Sequence, residues 1–199
     1  MRTIGKQALF VSLVAALLAP GWASAQWYVG ATAGKTNTEW TPTGLSGDKD
    51  TSTYVKPFVG LSLSPQLAVE LGYANLGKIV DFSSTPASVD AKSLALTLVG
   101  KVAVHKQVDL FARLGVGAWH AKWGFGGASG TKNGGGTVIG LGVDFRPLSF
   151  PDRMSLGFEW EQYQNVGEGA MAGAIRLMGQ NVDTLGIRLV YHFDLAPGP

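Results

Sequence analysis

The residues best equipped for proton or metal chemistry are few. Histidine occurs three times, at His105, His120 and His192, and no two of them are spaced to share a metal ion. Only His120, near the outer end of its segment, falls on a face where it could act as a base toward a lipid. Glu159 and Glu161 are two residues apart, which puts both carboxyls on one face of a strand and could serve paired acid–base work. A polar interior explains the same spacing without catalysis. No Gly-x-Ser-x-Gly elbow is present. The glycine-rich run 124–136 lacks the Gly-Lys-Ser/Thr ending of a phosphate-binding loop and reads as a surface loop. Cysteine is absent, which removes thiolate metal sites and disulfides. No metal and no cofactor is expected, and an enzyme is the least favoured reading.

A larger set of eight charges shares one property. Lys56, Lys101, Arg113 and Arg188, against Glu70, Asp144, Glu159 and Glu161, all fall in segments that alternate in period two, the signal of a strand. Eight such segments are predicted, over 27–36, 53–63, 67–77, 93–104, 109–122, 136–146, 154–164 and 183–193. In 93–104, Leu94, Leu96, Leu98, Val102 and Val104 alternate with Ser93, Ala95, Thr97, Lys101 and Ala103. In 136–146, Ile139, Leu141, Val143 and Phe145 alternate with Gly140, Gly142, Asp144 and Arg146. The eight charges lie on the face of small and polar residues. Unpaired charges in a narrow interior are costly, so pairing is expected, Glu70 with Arg113 and Arg188 with a carboxylate of 154–164. A space-filling ion-pair network and a charged gate for a small ion path both fit this pattern.

Which face meets solvent follows from composition. Charged residues make up 15% of the chain, against about 25% in a soluble domain. The polar face is mostly Gly and Ala, poor material for contact with water. The economical assignment is inverted, with the apolar face toward lipid and the small, polar face toward a lumen. Connections at 64–66, 105–108 and 147–153 are short. Those at 37–52 and 123–135 are long and rich in Gly, Ser, Thr and Asn. The predicted fold is all-β: an eight-stranded antiparallel up-and-down transmembrane β-barrel, with four long extracellular loops and both termini periplasmic. Such a barrel has room inside only for side chains. Trp27, Phe145, Tyr191 and Phe193 are expected near the periplasmic rim, and Trp40, Tyr73, Trp123 and Trp160 near the other. The apolar stretch 170–178 reads either as strand extension or as a contact surface.

The N-terminal segment reads as a signal peptide. Arg2 and Lys6 precede an apolar run over 8–19, broken only by Ser12. Ala23-Ser24-Ala25 is a small-x-small cleavage site that leaves Gln26 as the new N-terminus. The run is too short to span a bilayer. Loss of its two cations takes the formal net charge of +2 to 2 − 2 = 0. That leaves no basic stripe, so nucleic acid is not an expected partner. The expected organisation is signal peptide 1–25, barrel 26–193 and a short tail 194–199.

Several segments resemble the OmpA transmembrane domain family. Residues 60–77 (GLSLSPQLAVELGYANLG) resemble its turn between strands two and three, and 108–121 (VDLFARLGVGAWHA) its fifth strand. Residues 141–168 (LGVDFRPLSFPDRMSLGFEWEQYQNVGE) resemble its sixth and seventh strands, and 185–193 its closing strand. The resemblance covers essentially all of the chain after the signal. It implies interior carboxylates at Glu70 and Asp144 and an interior lysine near Lys101. The family's interior arginine on the seventh strand falls at Gly157 here, with Arg188 as a candidate substitute. Larger family members continue through a Pro-rich linker into a peptidoglycan-binding domain, and only the stub DLAPGP stands here. The resemblance implies a structural outer-membrane protein of a Gram-negative envelope that supports envelope integrity and surface contacts. Outer-membrane lipid and lipopolysaccharide, the barrel-assembly and periplasmic chaperone machinery, and a surface ligand held by the loops are its expected partners. It is expected to be a monomer. A narrow gated ion channel is the second reading and a lipid-modifying enzyme the third.

Overall fold

Period-two alternation can bury or expose one whole face of a sheet, and closure of that sheet removes its open edges. The computed structural model describes residues 26–39, 49–82, 87–125, 128–147, 151, 153–168, 171–172, 175–176 and 180–193. The signal peptide, its cleavage residues Ala23 and Ala25, Trp40, most of 170–178 and the tail 194–199 lie outside the described residues.

Strands β1 (Gln26–Glu39), β2 (Lys49–Ser64), β3 (Leu67–Phe82), β4 (Ala87–His105), β5 (Val108–Phe125), β6 (Ala128–Phe145) and β7 (Met154–Val166) follow one another. After two short pieces, β8 (Met171–Ala172) and β9 (Ile175–Arg176), comes β10 (Gln180–His192). The order β1-β10-β7-β6-β5-β4-β3-β2 closes into a barrel, and every neighbouring pair is antiparallel. β8 and β9 pair only with each other. Pairing of β1 with β10, Ala31 opposite Leu189 and Ala33 opposite Ile187, is the seam. Eight barrel strands with an antiparallel seam put Gln26 and Phe193 at the same end as the tight turns Pro65–Gln66 and Lys106–Gln107.

Strand lengths differ from expectation at one end only. A tilted strand crosses a bilayer in about ten residues, yet β4 has 19 and both β5 and β6 have 18. The glycine-rich run 124–136 is therefore mostly strand rather than loop. Trp119 stands opposite Gly134, and the ladder continues to Phe125 opposite Ala128. β3 and β4 likewise pair as far as Phe82 and Ala87. Two of the four long loops are thus hairpins with brief tips. Backbone ladders prolong themselves wherever both strands remain free to pair, whether or not lipid is present.

The outer wall is apolar through its middle. Leu96, Val116, Leu141 and Ile187 are 52%, 65%, 58% and 52% exposed. The aromatic rims are less regular than expected. Trp27, Tyr73, Phe145 and Phe193 do lie on the outside. Trp123 instead packs partly buried against the interior, and Trp160 sits mid-strand between Leu141 and Leu185.

Candidate functional site

Inside the barrel the residues of one parity from every strand converge. Lys56 comes from β2, Glu70 from β3, Arg113 from β5, Asp144 from β6, Glu159 and Glu161 from β7, and Arg188 from β10. All seven are buried. Lys56 Nζ stands 2.5 Å from Glu159 and 2.7 Å from Glu161. Arg113 reaches Glu70 at 3.0 Å, Glu159 at 2.9 Å and Glu161 at 2.7 Å. Arg188 reaches Glu70 at 2.6 Å, and Asp144 and Glu159 at 3.4 Å each. Each cation thus touches at least two carboxylates, the arrangement that a planar guanidinium supports well. Sequence reasoning placed Lys101 with this group. It lies lower, over the Tyr28 ring at 4.8 Å, with no ion pair within 4.0 Å among the described residues.

Glycine makes this convergence possible. A Cβ on Gly140 would come within 2.9 Å of the side chains of both Arg113 and Glu161. A Cβ on Gly157 would come within 2.3 Å of an Asp144 carboxylate oxygen. Gly157 is the register partner of both Arg188 and Asp144. The space left by the missing side chain is therefore occupied by a carboxylate from one neighbour, within reach of the guanidinium from the other.

The charged layer is capped on both sides. Toward the short turns lie Tyr28, Phe58, Ala68, Val99, Phe111 and Val190, a buried apolar cluster. Its rings face the cations, with Arg188 4.1 Å from the Phe58 centroid and Arg113 5.1 Å from that of Phe111. Toward the long hairpins lies a second apolar cluster that includes Tyr54, Leu76, Val89, Trp119, Val138 and Tyr163. Three phenols tie these caps to the charges. The Tyr28 hydroxyl donates to Glu70 at 2.9 Å, that of Tyr163 to Glu161 at 2.9 Å, and that of Tyr54 to Glu161 at 3.0 Å. Sequence reading missed these tyrosines. The signal was available, because Tyr54 stands two residues from Lys56 and Tyr163 two from Glu161, each on the same strand face.

The remaining candidates are dispersed. His105 lies exposed at a turn, where its Nδ1 accepts from the Gln107 backbone N–H. His192 stacks on Tyr28 at the short-turn mouth, with ring centroids 5.3 Å apart. His120 lies on the outer wall with Asn133 Oδ1 2.5 Å from its Nδ1. Among the described residues no three His, Asp or Glu side chains are grouped to hold a metal.

A closed ring of eight antiparallel strands, greasy outside and ion-paired inside, defines the class of small membrane-spanning β-barrels. Within it, this chain belongs to the OmpA-like transmembrane domain family, whose family model matches residues 22–196. Its fold is shared with neisserial surface protein A, at TM-score 0.62 and 13% identity over 84% of this chain and 97% of that one. It is shared too with Ail, the attachment invasion locus protein of Yersinia pestis, at TM-score 0.54 and 17% identity over 85% and 99%. A second structure of Ail, in complex with the heparin analogue sucrose octasulfate, aligns at TM-score 0.56 and 14% identity over 85% and 99%. No curated protein sequence matches the chain. The protein is thus an outer-membrane β-barrel of this family.

Proposed function

We propose that this protein is a sealed structural barrel of the outer membrane that supports envelope integrity and makes surface contacts through its long-hairpin end. The observation that carries the reading is the filled lumen, in which a layer of ion pairs lies between two apolar caps. A continuous water path would have to cross both caps and break a network in which each of Lys56, Arg113 and Arg188 is held by two or more carboxylates. The seven charges Lys56, Glu70, Arg113, Asp144, Glu159, Glu161 and Arg188 therefore serve as cross-braces rather than as a gate, while Lys101 lies below them against the Tyr28 ring. The narrow-channel reading needs those braces to rearrange, and the apolar caps weigh against it.

We place both termini in the periplasm, residues 1–25 as the cleaved signal with Gln26 as the mature start, and the barrel as a monomer. A non-catalytic role fits the outer-wall chemistry. Ser93, the hydroxyl residue beside the His120 concavity, is buried on the lumen side of the wall. It leaves His120 with Asn133 rather than with a nucleophile. The surface role is supported by the paired strands that rise past the apolar band and by the fold shared with Ail, which binds a sulfated sugar analogue. The test is a strain lacking the protein. It should become more permeable to a large hydrophobic antibiotic and regain its barrier with the intact barrel. Removing 170–178 should reduce attachment to sulfated glycans while leaving the barrier intact. A strain whose barrier and attachment both match the parent would overturn the proposal.

A further inference from the structure

On the outer wall, where the apolar band gives way to the long hairpins, three strands hold an unusual polar row. Lys92 of β4 stands opposite His120 of β5, and His120 stands opposite Asn133 of β6. One step further from the band, Asp90 stands opposite Lys122. One step nearer to it, Tyr73, Leu94, Ala118 and Gly135 form the next row. The small side chain of Ala118 leaves a hollow between bulkier neighbours. These rows line a concavity of about 480 Å³ that is open to the exterior.

We propose that this concavity binds a phosphorylated lipid of the adjoining leaflet, with its phosphate on Lys92, Lys122 and His120 and an acyl chain against Leu94 and Ala118. Neither lysine has an ion-pair partner within 4.0 Å among the described residues, so both ammonium groups are available. His120 Nδ1 meets Asn133 Oδ1, and its Nε2, uncommitted among the described residues, donates to a phosphate oxygen in the imidazolium form. Asp90 is the one acidic side chain of the hollow among the described residues, and two lysines outnumber it. Cations poised above an apolar foot match a molecule whose charge is joined to hydrocarbon, and they match a free anion less well. The inference uses only the lipid-facing sense of this wall. It is independent of any surface ligand, so its failure would leave the sealed-barrel reading standing.

The test is native mass spectrometry of the barrel in dodecyl maltoside, which carries no phosphate, with bisphosphorylated lipid A, its dephosphorylated form, or inorganic phosphate. Wild type should retain the phosphorylated lipid preferentially. K92Q/K122Q, which removes both charge-assisted lysine contacts, should weaken that binding at least about tenfold and abolish the preference. A118W should weaken both lipids by filling the hollow. K35Q, which removes an outward cation from β1, should change nothing. Heat-dependent gel mobility confirms closure of each variant. Equal retention of the two lipids by wild type, an equal loss with K35Q, or inorganic phosphate competing as well as the lipid would each overturn the proposal. The last result would mean a free-anion site.

Discussion

Arg188 has no exposed surface, and three carboxylates lie within 3.4 Å of it. Truncating one member of a buried ion network leaves its partners charged and uncompensated, which costs about 3–5 kcal/mol. Arg188→Ala should lower the unfolding free energy of the barrel in lipid vesicles by about that much, measured by urea titration. Arg188→Met with Glu70→Leu should recover only part of the loss, because Glu159 keeps Lys56 and Arg113 whereas Asp144 loses the ion pair it makes with Arg188. A second prediction concerns space. Gly140→Val would set methyl groups against Arg113 and Glu161, and should slow or prevent acquisition of the heat-modifiable folded form. At this scale the eight charges and their face were legible from residue spacing, because parity alone assigns a strand residue to one side. The depth of each charge along the barrel was not. It depends on the stagger between strands, which is why Lys101 was grouped with charges it does not pair with. Parity likewise puts Tyr54 and Tyr163 on the face of Lys56 and Glu161, but which carboxylate each phenol reaches depends on the same stagger.

At the scale of the strand, the governing fact is where along its length each one meets lipid. Leu141 lies on the outer wall of β6 within the apolar band, beside Trp160 of β7, whereas Lys92 lies beyond that band in β4. An arginine on the lipid face costs about 2–4 kcal/mol at the bilayer midplane and close to nothing near the interface. Leu141→Arg should therefore destabilise the barrel by that amount in the same vesicle titration, whereas Lys92→Arg should leave stability unchanged. Existence and direction of all eight barrel strands were legible in the alternation, and so were the short turns. Strand ends at the hairpin side were not. Glycine, serine and asparagine in 124–136 carry turn chemistry, yet Ala121 opposite Lys132 and Trp119 opposite Gly134 still pair. Bulky residues packing over glycine on the facing strand keep that ladder together, and no local propensity records such a contact. Trp123 was misassigned to the rim for the same reason, since the extended hairpin carries it over the interior cap.

For the whole molecule, closure and filling act together. Each barrel strand pairs on both sides, so the sheet has no edge to fray, and the lumen is blocked by two apolar caps around its ion pairs. In planar bilayers the protein should give only small, uneven current steps. Glu70→Ala should raise their frequency by unpinning Arg113 and Arg188. Large, stable openings in the wild type would contradict a filled lumen. The measurement that bears most directly on the inverted barrel is cysteine labelling in vesicles, since the chain has no native cysteine. Leu96→Cys and Ala95→Cys are adjacent in β4 and of opposite parity, with Leu96 52% and Ala95 5% exposed. A reagent confined to the hydrocarbon layer should modify Cys at 96 and spare Cys at 95. Modification of 95 with protection of 96 would contradict the account.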